Sequence, residues 1–270
     1  MTHSHPQRFT AVVLAADRTP NDPVAQCAQV ACKALAPVGG RPMVLRVLDA
    51  LAGSQRIDTF ILCGPAAAIV ERAPLLQERL AKPNAKWMPP GPTPSSSVLS
   101  ALSALTTEMP VLVTTADHAL LQPEMVDYFC REALSTGCDV VAALASFDEV
   151  MAKHPGMRRT RTRFRDGHYC GCNLFAFLTP KSHAAADFWR QVENDRKHPV
   201  KMMGSLGWFT VLRYLLGRLS LEEALRSISR RMGLRAGVII MPFPEAAVDV
   251  DSVGDLQTAR RIASQPAPHA

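Results

Sequence analysis

Residues 10–16 read Thr-Ala-Val-Val-Leu-Ala-Ala, a short apolar run that leads directly into the charged pair Asp17-Arg18. An apolar run of this length, without alternation, is typical of a strand buried on both faces of a parallel sheet. We therefore take it as the first strand of such a sheet. The same reading applies to four further segments, 57–63, 85–88, 111–115 and 139–145.

Segments with apolar residues at helical spacing separate these strands. Strands that alternate with helices of this length predict an α/β, Rossmann-like fold. We expect a mostly parallel, doubly wound sheet with helices on both faces. The predicted helices in this part of the chain are 42–52, 66–80, 95–105 and 123–135.

The pattern changes after residue 147, where arginines alternate with other residues. Arg159, Arg161, Arg163 and Arg165 follow a period of two, which predicts a strand with all four guanidinium groups on one face. Asp166-Gly167 then predicts a hairpin turn. The remaining predictions are a return strand at 169–177, helices near 180–195, 205–217 and 220–232, a strand at 236–241 and a final helix at 252–263.

Length and composition indicate a globular protein. The chain has 270 residues, of which 47% are hydrophobic and 20% charged, so we assign residues 9–263 to one domain with flexible tails at 1–8 and 264–270. No apolar stretch reaches the roughly 18 residues that a membrane-spanning helix needs. Seven cysteines without a repeated spacing indicate reduced thiols and a cytoplasmic location.

The net charge of +6 is concentrated in one segment, because five of the eight residues 158–165 are arginine. This distribution argues against a nucleic-acid-coating surface, which would be basic more uniformly. The arginine segment must face something anionic or lie open to solvent. A solvated edge strand protected by charge is the alternative to a binding role.

Acidic residues follow two of the predicted strands. In open parallel sheets, ligands bind at the carboxyl ends of the strands. Asp117 follows the strand at 111–115, and Asp249 and Asp251 follow the last strand. Carboxylates from two such places could share one Mg²⁺, which usually keeps water and substrate phosphate as its other ligands. Simpler roles stay open, since Asp117 could end a turn and Asp251 could cap the final helix.

Six segments together resemble one enzyme family. The segments 14–20 (LAADRTP) and 33–43 (KALAPVGGRPM), the latter with Lys33, Pro37, Gly39, Gly40, Pro42 and Met43, resemble the opening signature of MobA-like and sugar-phosphate nucleotidyltransferases. The other segments follow in the family's order. They are PPGPTPSSSVLSAL at 89–102, TTADHALL at 114–121, GCNLFAF at 171–177 and VDVDSVGDLQTA at 248–259.

The resemblance implies a nucleotidyltransferase (EC 2.7.7 type) that depends on Mg²⁺ or Mn²⁺. Such an enzyme transfers a nucleoside monophosphate from a nucleoside triphosphate to a phosphate-bearing acceptor and releases pyrophosphate. The predicted helices at 180–232 would make room for a bulky or lipid-like acceptor as well as for a small molecule, and the protein could form a homodimer. The hairpin and helices of residues 150–235 would form an insertion on the acceptor side.

The resemblance also assigns roles to individual residues. Lys33, Arg18 and Asp117 fall on catalytic positions. The implied nucleotide contacts are Leu14, Ala15, Ala16, Arg18, Lys33, Ser96 and Ser97. The expected acceptor contacts are Arg161, Arg163, Gly171, Asn173 and Lys201, and the expected metal ligands are Asp117, Asp251 and Asp249.

The first loop departs from the family pattern. It is usually glycine-rich, so that backbone N–H groups can bind phosphate, but no glycine precedes Gly39 here. Asp17 also adds a negative charge next to the expected triphosphate. Two alternatives therefore stay open: a non-catalytic, nucleotide-binding regulatory homologue and a nucleotide-sugar glycosyltransferase.

Overall fold

The computed structural model describes residues 7–105, 109–195 and 207–264. Its main sheet has eight strands, and a separate two-stranded hairpin consists of β2 (Pro37–Val38) and β3 (Arg41–Pro42). The strands of the main sheet are β1 (Phe9–Leu14), β4 (Ile57–Cys63), β5 (Ala85–Met88), β6 (Val111–Thr115), β7 (Val140–Ser146), β8 (Thr162–Phe164), β9 (Gly167–Phe177) and β10 (Ala236–Ile240).

The sheet is mostly parallel and runs in the order β10-β7-β9-β6-β1-β4-β5, with β8 paired to β9. Strand β9 runs antiparallel to both β6 and β7, whereas β1 is parallel to β4 and β6. The described helices are α1 (Pro23–Ala28), α2 (Met43–Gly53), α3 (Ala67–Val70), α4 (Pro74–Leu80), α5 (Pro94–Ala104), α6 (Pro123–Ser135), α7 (Phe147–Lys153), α8 (His183–Asp195), α9 (Trp208–Leu215), α10 (Leu221–Met232) and α11 (Val253–Ala263).

Strand β1 is buried on both faces, as its uninterrupted apolar run predicts. Ala11 and Val13 belong to one hydrophobic cluster, together with residues of α2 and α6. Val12 points into a second cluster, which contains Val98 of α5 and Ala186 of α8. Helices therefore cover both faces of the sheet, and the predicted Rossmann-like α/β fold is confirmed.

Two predicted elements differ from the structure. The helix predicted over 66–80 is divided into α3 and α4, because Pro74 has no N–H to continue the first helix and instead begins the second. The strand predicted for the arginine segment is only the three residues of β8, paired with β9 at Thr162–Tyr169, Arg163–His168 and Phe164–Gly167.

The expectation that four arginines share one strand face is therefore wrong. Arg159 and Arg161 precede β8, and the side chain of Arg159 turns inward to an ion pair with Asp249. The buried ion pair with Asp249 determines where the Arg159 side chain points, and the alternating sequence pattern does not. Among the described residues, no helix is both long enough and apolar enough to cross a bilayer.

Candidate active site

The loop that follows β1 is held in place by Asp17. Its carboxylate oxygens accept hydrogen bonds from the backbone N–H of Lys33, at 3.0 and 3.1 Å. Burial raises the pKa of Asp17, the hydrogen bond from Lys33 opposes that rise, and nearby Asp22 adds to it. Asp17 thus ties the start of the long loop to its end, where Lys33 lies.

The two glycines of the 33–43 segment form a hairpin turn. Gly39 and Gly40 form the turn between β2 and β3, with φ values of 60° and 76°. Two successive positive φ angles are the signature of a tight hairpin turn, which glycine forms without steric cost. This hairpin fixes the path from the short 3₁₀ turn Lys33–Leu35 into helix α2.

Lys33 connects two carboxylates that are distant in sequence. Its Nζ lies 2.6 Å from Asp117 Oδ2 and 3.3 Å from Asp251 Oδ1. Burial lowers the pKa of Lys33, but the charges and hydrogen bonds of Asp117 and Asp251 outweigh it, so the pKa lies above its ordinary value. The ammonium therefore stays charged across the physiological range.

Strand β6 and the segment before α11 place the two carboxylates. Asp117 follows the carboxyl end of β6, and its carbonyl oxygen accepts a hydrogen bond from Val250 N at 3.1 Å. Ser252, not Asp251, caps α11, since its hydroxyl accepts from Asp255 N at 3.2 Å. The Asp251 side chain is thus free of capping and is 65% exposed.

The residues present fit a divalent cation. Asp117 Oδ1 is buried and lacks a hydrogen-bond partner within the described part of the chain. An orphaned carboxylate oxygen beside a second carboxylate suits Mg²⁺, which accepts few protein ligands and keeps water and phosphate. No group of three or more His, Cys, Asp or Glu side chains is close enough to bind a metal in residues 7–105, 109–195 and 207–264.

Asp249 has other partners, which argues against its expected role as a metal ligand. Its Oδ1 pairs with Arg159, and its Oδ2 accepts a hydrogen bond from Asn173 Nδ2 at 2.5 Å. Both side chains of the Arg159–Asp249 pair are only 10% exposed. Because a guanidinium already neutralises this carboxylate, Asp249 is less available to a cation than Asp117 and Asp251, and the ligand set stays a prediction.

A bulge in β9 aims Asn173 at the site. The pairing of β7 with β9 steps from Ala142–Phe175 to Leu144–Gly171, so β9 carries extra residues there. Asn173 lies within them at φ 49°, a left-handed conformation that asparagine tolerates better than most residues. Bulges commonly re-aim a side chain next to a binding site.

A cleft of about 360 Å³ lies at the carboxyl ends of β1 and β6 and is lined by Lys33, Asp117 and Asp251, among others. A smaller cavity of about 140 Å³ adjoins it and shares part of its lining. Five of the expected nucleotide contacts lie here, and so do three of the other expected site residues. The predicted residues in the larger cleft are Leu14, Ala15, Ala16, Arg18, Lys33, Asp117, Asn173 and Asp251.

Ser96 and Ser97 hold the loop before α5. Ser96 Oγ donates to Thr93 O at 2.7 Å and accepts from Thr93 N at 2.9 Å. Ser97 Oγ accepts from Gly91 N at 2.9 Å and lines the smaller cavity. A Cβ at Gly91 would collide with Ser96 Oγ, so the loop needs glycine there. Their nucleotide contact stays a prediction.

The other expected acceptor residues lie outside the cleft lining. Arg161 is exposed and lies over the ring of Phe147, with its guanidinium carbon 5.6 Å from the centroid. Arg163 is exposed on β8 and Gly171 on β9. Lys201 lies outside the described residues. Of this group, only Asn173 is brought to the cleft.

Asp17, which the sequence already placed next to the expected triphosphate, lines both cavities. Sequence reasoning missed other residues of the site: Phe175 and Trp189 line the larger cavity and Glu193 the smaller one. Ser95 N and Oγ donate to Glu193 Oε2, the former at 3.3 Å. No sequence signal places α8 beside α5, so these partners could not be found from spacing.

One family model and two solved structures match this chain. The model of the MobA-like NTP transferase domain matches residues 11–235. The chain belongs to the MobA-like NTP transferase family. A hypothetical transferase from Thermus thermophilus is similar over 93% of this chain and 100% of its own, with 30% identity and a TM-score of 0.75. The resemblance expected from the sequence motifs is confirmed.

A second solved structure shares the fold at low identity. It is a 4-diphosphocytidyl-2C-methyl-D-erythritol synthase from Anaerococcus prevotii, with 14% identity and a TM-score of 0.60. The alignment covers 96% of this chain and 97% of that one. No curated protein matches the sequence.

Proposed function

We propose that this NTP transferase domain transfers a nucleoside monophosphate from a nucleoside triphosphate to a phosphate-bearing acceptor and releases pyrophosphate. The observation that supports the proposal best is the meeting of Lys33, Asp117 and Asp251 in one cleft, from three distant parts of the chain. Two carboxylates and a permanently charged ammonium are the groups that a metal-bound triphosphate requires.

The reaction needs mainly positioning and neutralisation of charge. An oxygen of the acceptor phosphate forms a bond to the α-phosphorus, while the bond from that phosphorus to the departing pyrophosphate breaks. Negative charge therefore grows on the pyrophosphate. Arg18, exposed at the rim, and Lys33 are the cations of the cleft that would neutralise it.

Asp117 and Asp251 would hold Mg²⁺ or Mn²⁺, which when bound neutralises phosphate charge and orients the reacting oxygens. Lys33 is paired with both carboxylates, so it must give up at least one of them to a metal ion. The freed ammonium would then be available to the phosphate chain. In this proposal, Lys33 offsets one of the two negative charges of Asp117 and Asp251 until substrate arrives.

The acceptor would approach past Asn173, Phe175 and Trp189, which line the larger cleft. Asn173 commits one amide N–H to Asp249, so its side-chain oxygen and its second N–H are left for a ligand. Arg161 and Arg163 would guide an anionic acceptor from outside the cleft.

A regulatory homologue that binds nucleotide without turnover is the second candidate. The observation that favours it is Asp17, which lines both cavities in a loop that lacks the family's glycines. Pyrophosphate release during incubation with a triphosphate and candidate acceptors separates the two functions. An NDP-linked product, formed without consumption of a nucleotide sugar, would exclude the glycosyltransferase alternative.

The first experiment is a thermal-shift screen of the four nucleoside triphosphates with Mg²⁺. A ligand at 100 times its dissociation constant stabilises the folded protein by about 2.7 kcal/mol. We expect one base to stabilise the wild type and the Lys33→Ala variant to lose most of that gain. Lys86→Ala, a change of an exposed lysine on β5, is the matched control. No stabilisation by any triphosphate would contradict nucleotide binding.

A further inference from the structure

One wall of the smaller cavity has already used its hydrogen-bond donors. Five of the lining residues come from the segment 91–97, which leads into α5 and includes its first turn. Pro92 and Pro94 have no backbone N–H, and the other five N–H groups of the segment donate within the structure, at 2.9–3.3 Å. They donate from Gly91 to Ser97 Oγ, from Thr93 to Ser96 Oγ, from Ser95 to Glu193 Oε2, from Ser96 to Thr93 Oγ1 and from Ser97 to Thr93 O.

The hydroxyl groups of the same segment are also engaged. Ser96 Oγ and Ser97 Oγ both donate to Thr93 O, at 2.7 and 3.2 Å. Ser95 Oγ donates to Glu193 Oε2, and Thr93 Oγ1 donates to Ser96 Oγ at 3.3 Å. Because each hydroxyl has one hydrogen, the segment 91–97 keeps no side-chain donor for a ligand.

Glu193 of α8 adds an acceptor to this wall. Its Oε2 is occupied by the two hydrogen bonds from Ser95, whereas its Oε1 has no hydrogen-bond partner within 7–105, 109–195 and 207–264. The side chain is half-buried and lines the smaller cavity. An ionised carboxylate accepts hydrogen bonds and donates none. The polar groups that this wall offers to a ligand are therefore acceptors.

The charge of the smaller cavity disfavours phosphate. Among the described residues, its lining contains the carboxylates of Asp17 and Glu193 and one cation, Arg18. Lys33, which the proposed function assigns to the phosphate chain, lines only the larger cleft. Because the two cavities adjoin, a nucleotide whose phosphates lie beside Lys33 can extend its uncharged base into the smaller cavity. That base would face the acceptors on the Glu193 side.

We propose that Glu193 selects the base of the nucleoside triphosphate by accepting a hydrogen bond from an amino group of that base. The inference rests on the proposed function and adds the class of base. Cytosine carries an amino group where uracil carries a carbonyl oxygen, and adenine differs in the same way from hypoxanthine, the base of ITP. Guanine has an amino group that hypoxanthine lacks. A carbonyl oxygen placed against the carboxylate would leave two acceptors without a hydrogen between them, which costs binding free energy.

Binding of matched triphosphates tests the proposal. Isothermal titration calorimetry in the presence of Mg²⁺ gives Kd values for CTP, UTP, ATP, GTP and ITP. In the pairs CTP–UTP, ATP–ITP and GTP–ITP, only the first member has the amino group in question. We expect the ligand that binds most tightly to be an amino-bearing triphosphate, with a Kd at least about tenfold below that of its partner in the pair.

The variant Glu193→Gln separates base selection from a purely structural role. A glutamine can keep its oxygen toward Ser95 and present its NH₂ group to the cavity, which changes the wall from acceptor to donor. We expect the preference within the pair to fall to about twofold or to reverse. If Glu193 only held Ser95 in place, the variant would change the Kd of both members by the same factor. Glu71→Gln, at an exposed glutamate after α3, is the matched control and should keep the wild-type preference.

Three outcomes would overturn the proposal. One is wild-type protein that binds both members of each pair alike, or that binds UTP or ITP most tightly; nucleotide binding would then stand without the proposed selection. Another is an equal loss of affinity for both members in Glu193→Gln, which would make Glu193 a structural contact between α8 and α5. The third is that no triphosphate binds, which would contradict the proposed function as well.

Discussion

At the scale of single residues, Asp117 carries the prediction that tests the metal. Asp117→Asn keeps the shape of the side chain and removes the charge that a divalent ion needs. We expect Mg²⁺-dependent pyrophosphate release to fall by about a hundredfold or more, with an unchanged circular dichroism spectrum. Asp58→Asn, on an exposed pair with Arg8, is the control. Near-normal turnover in Asp117→Asn would remove this residue from the proposed metal site.

Lys33 gives a second test at the same scale. Lys33→Ala removes one of the two cations that line the cleft, the other being Arg18, and leaves Asp117 and Asp251 without their shared partner. We expect kcat/KM for the triphosphate to fall by more than about tenfold, above the ~0–1 kcal/mol of an exposed ion pair. Steady-state kinetics beside the Lys86→Ala control measure it. A decrease below about threefold would make Lys33 a loop lysine without a catalytic part.

Asp249 is predicted to act on the fold rather than on the metal. Asp249→Ala leaves the buried Arg159 guanidinium unpaired, which should destabilise the protein by about 3–5 kcal/mol in urea unfolding. The double variant Arg159→Met/Asp249→Leu should recover most of that loss. The Mg²⁺ concentration for half-maximal activity should change in Asp251→Asn and stay the same in Arg159→Met/Asp249→Leu. If the double variant needed a higher Mg²⁺ concentration for half-maximal activity, Asp249 would return to the expected set of metal ligands.

At the scale of elements, Asp139 connects three strands. It lies just before β7, and its carboxylate accepts from Arg235 N, ahead of β10, at 2.8 Å and from Thr179 Oγ1, after β9, at 2.7 Å. The hydrogen bond from Arg235 N, followed by that from Thr179, lowers the pKa of Asp139 below its ordinary 3.8. Asp139 thereby joins the chain beside β7 to β9 and β10, the two strands that flank β7 in the sheet.

Asp139→Ala should therefore destabilise the protein by about 1–3 kcal/mol at pH 7. Because the folded pKa is depressed, the stabilisation is present above pH 3.8 and is lost as the pH falls through the folded pKa. Urea unfolding of wild type and variant should show a difference that shrinks below pH 3.8. A difference that is constant with pH would mean that the carboxylate charge contributes nothing.

At the scale of the whole molecule, the reactivity of the cysteines tests which parts of the chain are buried. All seven are free thiols: Cys27 is exposed, Cys138 is half-buried and the other five are buried. Burial raises the pKa of Cys32 to about 11 and that of Cys63 to about 12, so these thiols react slowly. A thiol reagent should modify Cys27 rapidly in the native protein and all seven cysteines after unfolding. The Cys27→Ser variant should lose the fast phase, and a fast phase that persists would contradict the packing described here.

The sequence by itself determined the architecture, and it did so through the uninterrupted apolar runs. A run such as 10–16 has no polar face, so it can only lie between two layers of helices, and the structure places Val12 and Val13 in opposite hydrophobic clusters. Asp117 and Asp251 were predicted at the cleft because each follows a strand of the sheet, and Lys33 was predicted there by the family resemblance; all three line the cleft. A local sequence pattern is sufficient to predict the position of a residue when a single strand or helix determines that position.

Only the tertiary structure decided which charges meet. Asp249 and Asp251 are alike in sequence, yet Asp249 is neutralised by Arg159 from a segment 90 positions away, whereas Asp251 is exposed at the cleft. The same contact removed Arg159 from the predicted strand, and the bulge in β9 turned Asn173 toward Asp249. The physical reason is that a buried charge must find a partner. That partner is chosen by the packing of distant segments, which no local period in the sequence records.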